Sequence, residues 1–109
     1  MKKQSTFVVV LITAKNMQEA KKISGTLVNE KLAACVNIVK GVQSMFWWEG
    51  KIDQVSEALL IVKTKKSILR KLIKMVKSVH SYTVPEIIAL PILSGDRDYL
   101  KWINESVKG

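Results

Sequence analysis

The chain opens on an unbroken apolar run at 7–14, rich in valine and without polar alternation. Such a run suits a strand covered on both faces. It stops at Lys15, and the pattern changes period: Met17, Ala20, Ile23, Leu27 and Val28 recur every three or four positions, predicting a helix over 17–30. Asn16 is placed to cap that helix, and Glu19, three residues on, makes a variant of the capping box. Gly25 falls inside the helix and weakens it slightly.

Two strand-like arms follow, at 34–46 and 52–64, on either side of Trp47-Trp48-Glu49-Gly50-Lys51. Glu49-Gly50 reads as the tight turn of a hairpin, with glycine supplying the positive φ. Lys40-Gly41 interrupts the first arm and predicts a bulge. Arms of about 14 residues at roughly 3.3 Å each span about 46 Å. A compact chain of this length is only about 34 Å across, so the hairpin should protrude and reach another chain.

Ile68, Leu69, Leu72, Ile73, Val76 and Val79 then form the apolar stripe of a second helix, over 66–79. A loop at 80–85 leads to an apolar strand at 86–93. Ser94-Gly95-Asp96 caps a last helix containing Tyr99, Leu100, Trp102 and Ile103. The order β-α-β-β-α-β-α predicts a single α+β domain over 1–109, with a ferredoxin-like four-stranded antiparallel sheet and helices on one face. The other face stays uncovered although its strands are apolar on both sides, which argues for an obligate oligomer.

Composition narrows the class. A 109-residue chain with 48% hydrophobic and 25% charged residues is ordinary globular material rather than a disordered chain. A single cysteine, Cys35, excludes an intrachain disulfide and fits a reducing, cytoplasmic setting. Lys2-Lys3 ahead of the run at 7–14 has the outline of a signal peptide, but eight apolar residues are too few to span a membrane, and a buried strand is the better reading. No membrane association is expected.

The net charge is +9, and no acidic residue occurs between Ala58 and Pro85, where Lys63, Lys65, Lys66, Arg70, Lys71, Lys74 and Lys77 all fall. A solvated helix face explains such a run, and attraction to nucleic acid or acidic ligands is the alternative. Domains of this fold that bind RNA stack bases on aromatic residues of their central strands. The corresponding third strand, Ala58-Leu59-Leu60-Ile61-Val62, has none, so a nucleic-acid partner is not expected.

No glycine-rich phosphate loop, nucleophile elbow or metal-spaced Cys/His pair is present. The candidates are single residues. Cys35 lies among apolar neighbours, the ordinary place of a small core hydrophobe; as a ligand its thiolate suits copper(I) or zinc. His80 ends the second helix, where the macrodipole favours it; its imidazole also suits a metal or a proton transfer. Glu86 follows Pro85 and offers a nearby carboxylate, or simply starts a strand. The tryptophans at the hairpin tip are interface anchors by type, and Glu57 and Lys63 read as cross-strand charges. A structural zinc site needs four protein ligands, which one cysteine, one histidine and scattered carboxylates do not supply in one chain. Any metal site is therefore open, weak or shared between subunits. A Cys35–His80 enzyme is the least supported reading, because no third group orients the pair.

Several motifs in order resemble the CutA family, the divalent-cation-tolerance proteins. They are Glu30-Lys31-Leu32-Ala33-Ala34-Cys35-Val36-Asn37, Trp48-Glu49-Gly50-Lys51-Ile52, the stretch 59–64, His80-x-Tyr82-x-x-Pro85-Glu86-Ile87-Ile88 and Tyr99-Leu100-x-Trp102. The likeness runs from Val8 to about Ile103. It implies a ferredoxin-like homotrimer similar to the nitrogen-regulatory PII trimers, with long hairpins packed between neighbours. It further implies tolerance of, and binding to, copper or other divalent cations, with Cys35 and His80 as the matching ligand positions. Trp48, Glu49, Lys63, His80, Tyr82 and Glu86 match positions that gather in clefts between subunits. The chain departs from the family pattern at Ser81, where proline is usual, at Thr83, often acidic, and at Ile12, where some members carry a second cysteine. The resemblance supports two non-enzymatic functions: metal binding by the trimer, or a PII-like module holding a small ligand in its clefts.

Overall fold

β1 (Phe7–Ala14) is the centre around which the chain is built. The structure, a computed structural model, describes residues 6–108, so Lys2 and Lys3 lie outside the described residues. Val8, Val10, Ile12 and Ala14 are buried on one face of β1, so the unbroken apolar run does alternate in burial. Val9 and Leu11, on the other face, remain partly open.

α1 (Met17–Asn29) begins as the capping signal predicts: Asn16 Oδ1 accepts from Glu19 N at 2.9 Å. The Glu19 carboxylate reaches back one residue further than in a standard box, with Oε1 accepting from Lys15 N at 3.1 Å. Ala20, Ile23 and Leu27 are the buried face of α1.

β2 (Cys35–Trp48) and β3 (Lys51–Lys65) are antiparallel arms that pair from Cys35↔Lys63 to Trp48↔Lys51. The tryptophans therefore belong to the ladder rather than to the turn. Glu49 and Gly50 alone make the connection, both at positive φ (50° and 78°), as a two-residue turn of right-handed twist requires. The predicted bulge is present between Val39 and Val42, with Gly41 at φ 71°.

A short 3₁₀ turn (Lys66–Ile68) leads into α2 (Leu69–Val79), which buries Leu72 and Val76. β4 (Ile87–Pro91) is shorter than the apolar run that contains it. α3 (Arg97–Ser106) starts at Asp96, whose side chain accepts from Tyr99 N at 3.0 Å, and buries Ile103.

The four strands lie in the order β2-β3-β1-β4, antiparallel throughout, the predicted α+β sheet. The core fills the space between the helices and the face of Val10, Ile12, Leu60 and Val62. The opposite face presents Val39, Ile88 and Leu90, each between 44% and 51% exposed. The long axis measures 43 Å against 33 and 23 Å for the others, matching the protrusion expected of the hairpin. The basic run divides: Lys65 is buried and donates to Asn104 Oδ1 at 3.2 Å, while Arg70, Lys71, Lys74 and Lys77 are exposed on α2.

Candidate functional site

The sheet changes width at one point. β1 pairs with β3 as far as Ala14↔Ala58, and from Glu57 back to Lys51 β3 is accompanied, among the described residues, only by β2. The corner between the end of β1 and the projecting arm is filled by the loop after α2. Three anchors hold that loop, and each follows from the chemistry of its side chain.

His80 turns the chain out of α2 with φ −81° and ψ 141°. Its Nε2 donates to the Thr13 carbonyl at 2.7 Å, and its Nδ1 accepts from Tyr82 N at 3.0 Å. Both ring nitrogens are thus engaged, and these partners fix the neutral Nε2–H tautomer. The rings of His80 and Tyr82 lie 4.8 Å apart. Glu19, in the first turn of α1, also accepts from Ser81 N through Oε2 at 2.9 Å. Burial pushes its carboxyl up, but the hydrogen bonds from Ser81 and Lys15 outweigh burial and hold it below the usual range.

The third anchor is Tyr82, whose hydroxyl donates to Glu57 Oε2 at 2.7 Å. Burial, then this hydrogen bond and the Glu57 charge, push the phenol well above its ordinary value, so it stays a donor at any physiological pH. Glu57 is itself only 6% exposed.

Two adjoining clefts open at this corner. One, of about 360 Å³, lies between Phe46, Trp48, Asp53 and Val55 of the arm and the loop from Ser81 to Val84. The other, of about 510 Å³, is bordered by Trp47, Trp48, Glu57, Tyr82 and Glu86. Phe46 pairs with Asp53 and Ser44 with Val55, so the arm turns one mixed aromatic and acidic face toward the loop.

Of the residues expected in a cleft, Trp48, Tyr82 and Glu86 line this corner, and His80 stands behind them as a support of the loop. Glu49 sits at the hairpin turn and Lys63 at the far end of β3, and neither lines it. Lys63 Nζ instead contacts Asn37 Oδ1 and lies 4.0 Å from Cys35 Sγ. Cys35 is half-buried there, near Tyr99, whose hydroxyl is pushed up by burial and then by the Cys35 sulfur.

Cys35 and His80 do not meet within the chain. Cys35 pairs with Lys63 and, through it, with Val9, whereas His80 touches Thr13, four residues further along β1. Four residues of strand are about 13 Å. Among the described residues, no three His, Cys, Asp or Glu side chains converge to hold a metal ion.

Sequence reasoning missed the part played by Glu57, Asp53 and Phe46. Glu57 carried one signal, an acid placed directly before the wholly apolar stretch 58–62.

A family profile described as CutA1 divalent ion tolerance protein matches residues 8–106. The chain is 48% identical over 101 residues to Protein CutA 1, chloroplastic, of Oryza sativa, covering 93% of this chain and 57% of that protein. It therefore spans little more than half the length of that relative. It is 50% identical over 98 residues to the divalent-cation tolerance protein CutA of Thermus thermophilus, covering 90% of this chain and 95% of that one. The solved structure of the Thermus thermophilus divalent cation tolerance protein superposes with a TM-score of 0.92 at 48% identity, over 94% of this chain and 99% of the other.

Proposed function

On the premise that this chain belongs to the CutA1 divalent ion tolerance family, we propose that it is a non-enzymatic homotrimer that binds copper or other divalent cations and serves the response to metal ions. The observation that carries the assembly is the uncovered apolar sheet face bearing Ile88 and Leu90, continued by a projecting arm whose Trp47 is 72% exposed. An apolar surface of that continuity marks an interface. A PII-like trimer covers the sheet faces against one another and seats each arm on a neighbour. Among the described residues no helix is long and apolar enough to cross a membrane, and the single cysteine supports a cytoplasmic setting.

The residues of one chain do not fit a closed metal site. Cys35 has the Lys63 ammonium 4.0 Å from its sulfur, and both His80 nitrogens are hydrogen-bonded. In this proposal the ion is bound weakly or between subunits, with Cys35 as the soft donor and His80 as a second ligand once its loop yields the Tyr82 bond. Native mass measurement with and without copper tests assembly and metal together. Trimers that take up copper support the reading, and a monomer sinks the assembly. Calorimetry with copper and zinc on wild type, Cys35→Ser and His80→Ala decides the ligands: no heat in the wild type, or equal heat in all three, rules them out.

A second reading, a PII-like module holding a small ligand between subunits, is favoured by the cleft where Trp48, Tyr82 and Glu86 come together.

A further inference from the structure

The chain carries 18 Lys and Arg against 9 Asp and Glu. Charge at the corner runs the other way. Asp53, Glu57 and Glu86 border the two adjoining clefts, and no lysine or arginine among the described residues lines either one. A third of the acidic residues of a strongly basic chain thus face one concavity. Its walls are aromatic, from Phe46, Trp47, Trp48 and Tyr82.

The two kinds of group favour the same ligand. Aromatic faces attract a cation through the ring quadrupole, most strongly for tryptophan and when water is excluded. They also bury an apolar body. Carboxylates supply the counter-charge, and Glu57, at 6% exposure, does so from a largely desolvated position. Tyr82 holds Glu57 in place by donating to Oε2 at 2.7 Å, and is itself fixed by His80 through its backbone N–H. Within one chain, an anionic metabolite would meet three carboxylates and, among the described residues, no lining cation. A bare divalent ion would gain nothing from the aromatic walls and would find no three convergent acidic, His or Cys ligands among the described residues.

We infer that the cleft between the hairpin arm and the loop after α2 binds a small organic ammonium ion with an apolar body. This rests on the reading of that corner as a ligand cleft, and it adds the charge and chemical class of the ligand. A volume of about 510 Å³ takes a ligand of modest size.

The probe is n-hexylammonium, with 1-hexanol as its neutral counterpart of equal chain length. Binding is followed by calorimetry and by the indole N–H resonances of Trp47 and Trp48, with native mass recorded on the same samples. Hexylammonium should bind with Kd on the order of 1 mM and weaken with added salt. The alcohol should bind about tenfold more weakly. Glu86→Gln, at an exposed position, should weaken the ammonium about fivefold and leave the alcohol unchanged. Trp48→Leu should weaken both. Equal affinity for amine and alcohol, or an unaffected Glu86→Gln, overturns the ammonium inference while leaving a ligand cleft standing. Binding of neither probe overturns both. A trimer that binds neither leaves the assembly standing while overturning the ligand cleft and its ammonium specificity.

Discussion

Tyr82 Oη and Glu57 Oε2 lie 2.7 Å apart, joining the loop after α2 to the root of the projecting arm across 25 residues of sequence. Tyr82→Phe keeps the ring and removes the donor, leaving a buried carboxylate without its partner. The expected loss is about 1–3 kcal/mol of unfolding free energy. Glu57→Gln still accepts from the hydroxyl and should lose less. Denaturant unfolding of the two variants at matched oligomeric state gives the comparison, and a larger loss in Glu57→Gln would show that the bond does not secure the loop.

Glu19 ties the start of α1 to Ser81, and its carboxyl is held below the ordinary value of 4.5. A carboxyl lowered in the folded state binds protons more readily when unfolded. Its contribution is fully present above about pH 4.5 and is lost as pH falls through the lower folded value. Unfolding midpoints measured from neutral pH downward should fall over that acidic window. In Glu19→Gln this component should be missing, leaving a flatter acid limb. An unchanged limb would assign the acid sensitivity to other carboxyls.

Gly25 stands in the middle of α1, and a Cβ placed there meets nothing within 4 Å among the described residues. Its backbone is not in the positive-φ region. Gly25→Ala should therefore stabilise the chain by about 0.5–1 kcal/mol by narrowing the unfolded ensemble. The denaturant midpoint should rise at constant slope. A fall would mean that another surface closes on this part of the helix.

Leu90 faces the open side of the sheet and is 49% exposed in the single chain. Leu90→Lys should be tolerated by the isolated subunit, where its ammonium reaches water. It should block an assembly that buries this face, because an unpaired charge there is strongly penalised. Sedimentation should show a smaller species with native-like circular dichroism. An unaltered oligomer would move the interface elsewhere.

Element order was legible because apolar period and turn chemistry agree along most of the chain. The switch from the run at 7–14 to helical spacing, the Asn16 cap and the Lys40-Gly41 break each appear where expected. Boundaries were less legible where apolar residues continue past their partners. Leu93 belongs by type with β4, but the ladder with β1 runs from Ile87 to Pro91, a further bond joins Ile92 N to the Phe7 carbonyl, and Leu93 is 98% exposed. At the hairpin tip the turn needs only Glu49 and Gly50, so Trp47 and Trp48 join the ladder. The site was harder to read, because its properties come from distant pairs. Glu57 looks like a surface charge until Tyr82 reaches it. His80 looks like an available ligand until Thr13 and Tyr82 occupy both nitrogens. Residue type suggested the chemistry, and only folding decided which groups remain free to perform it.

The bulge at Lys40-Gly41 has a consequence for the tryptophans seven residues away. Before it, odd-numbered residues of β2 (Cys35, Asn37, Val39) oppose Lys63, Ile61 and Leu59; after it, even-numbered Ser44, Phe46 and Trp48 oppose Val55, Asp53 and Lys51 on the same side. One extra residue has reversed the parity of the arm. Were these same residues paired without the bulge, Met45 and Trp47 would turn toward the side now held by Phe46 and Trp48, which would turn away. Which aromatic rings meet the carboxylates thus depends on one residue being looped out at a bend that contributes no side chain to the cleft; losing that residue would straighten the arm yet leave Val42 opposite Glu57 and the aromatic faces where they are.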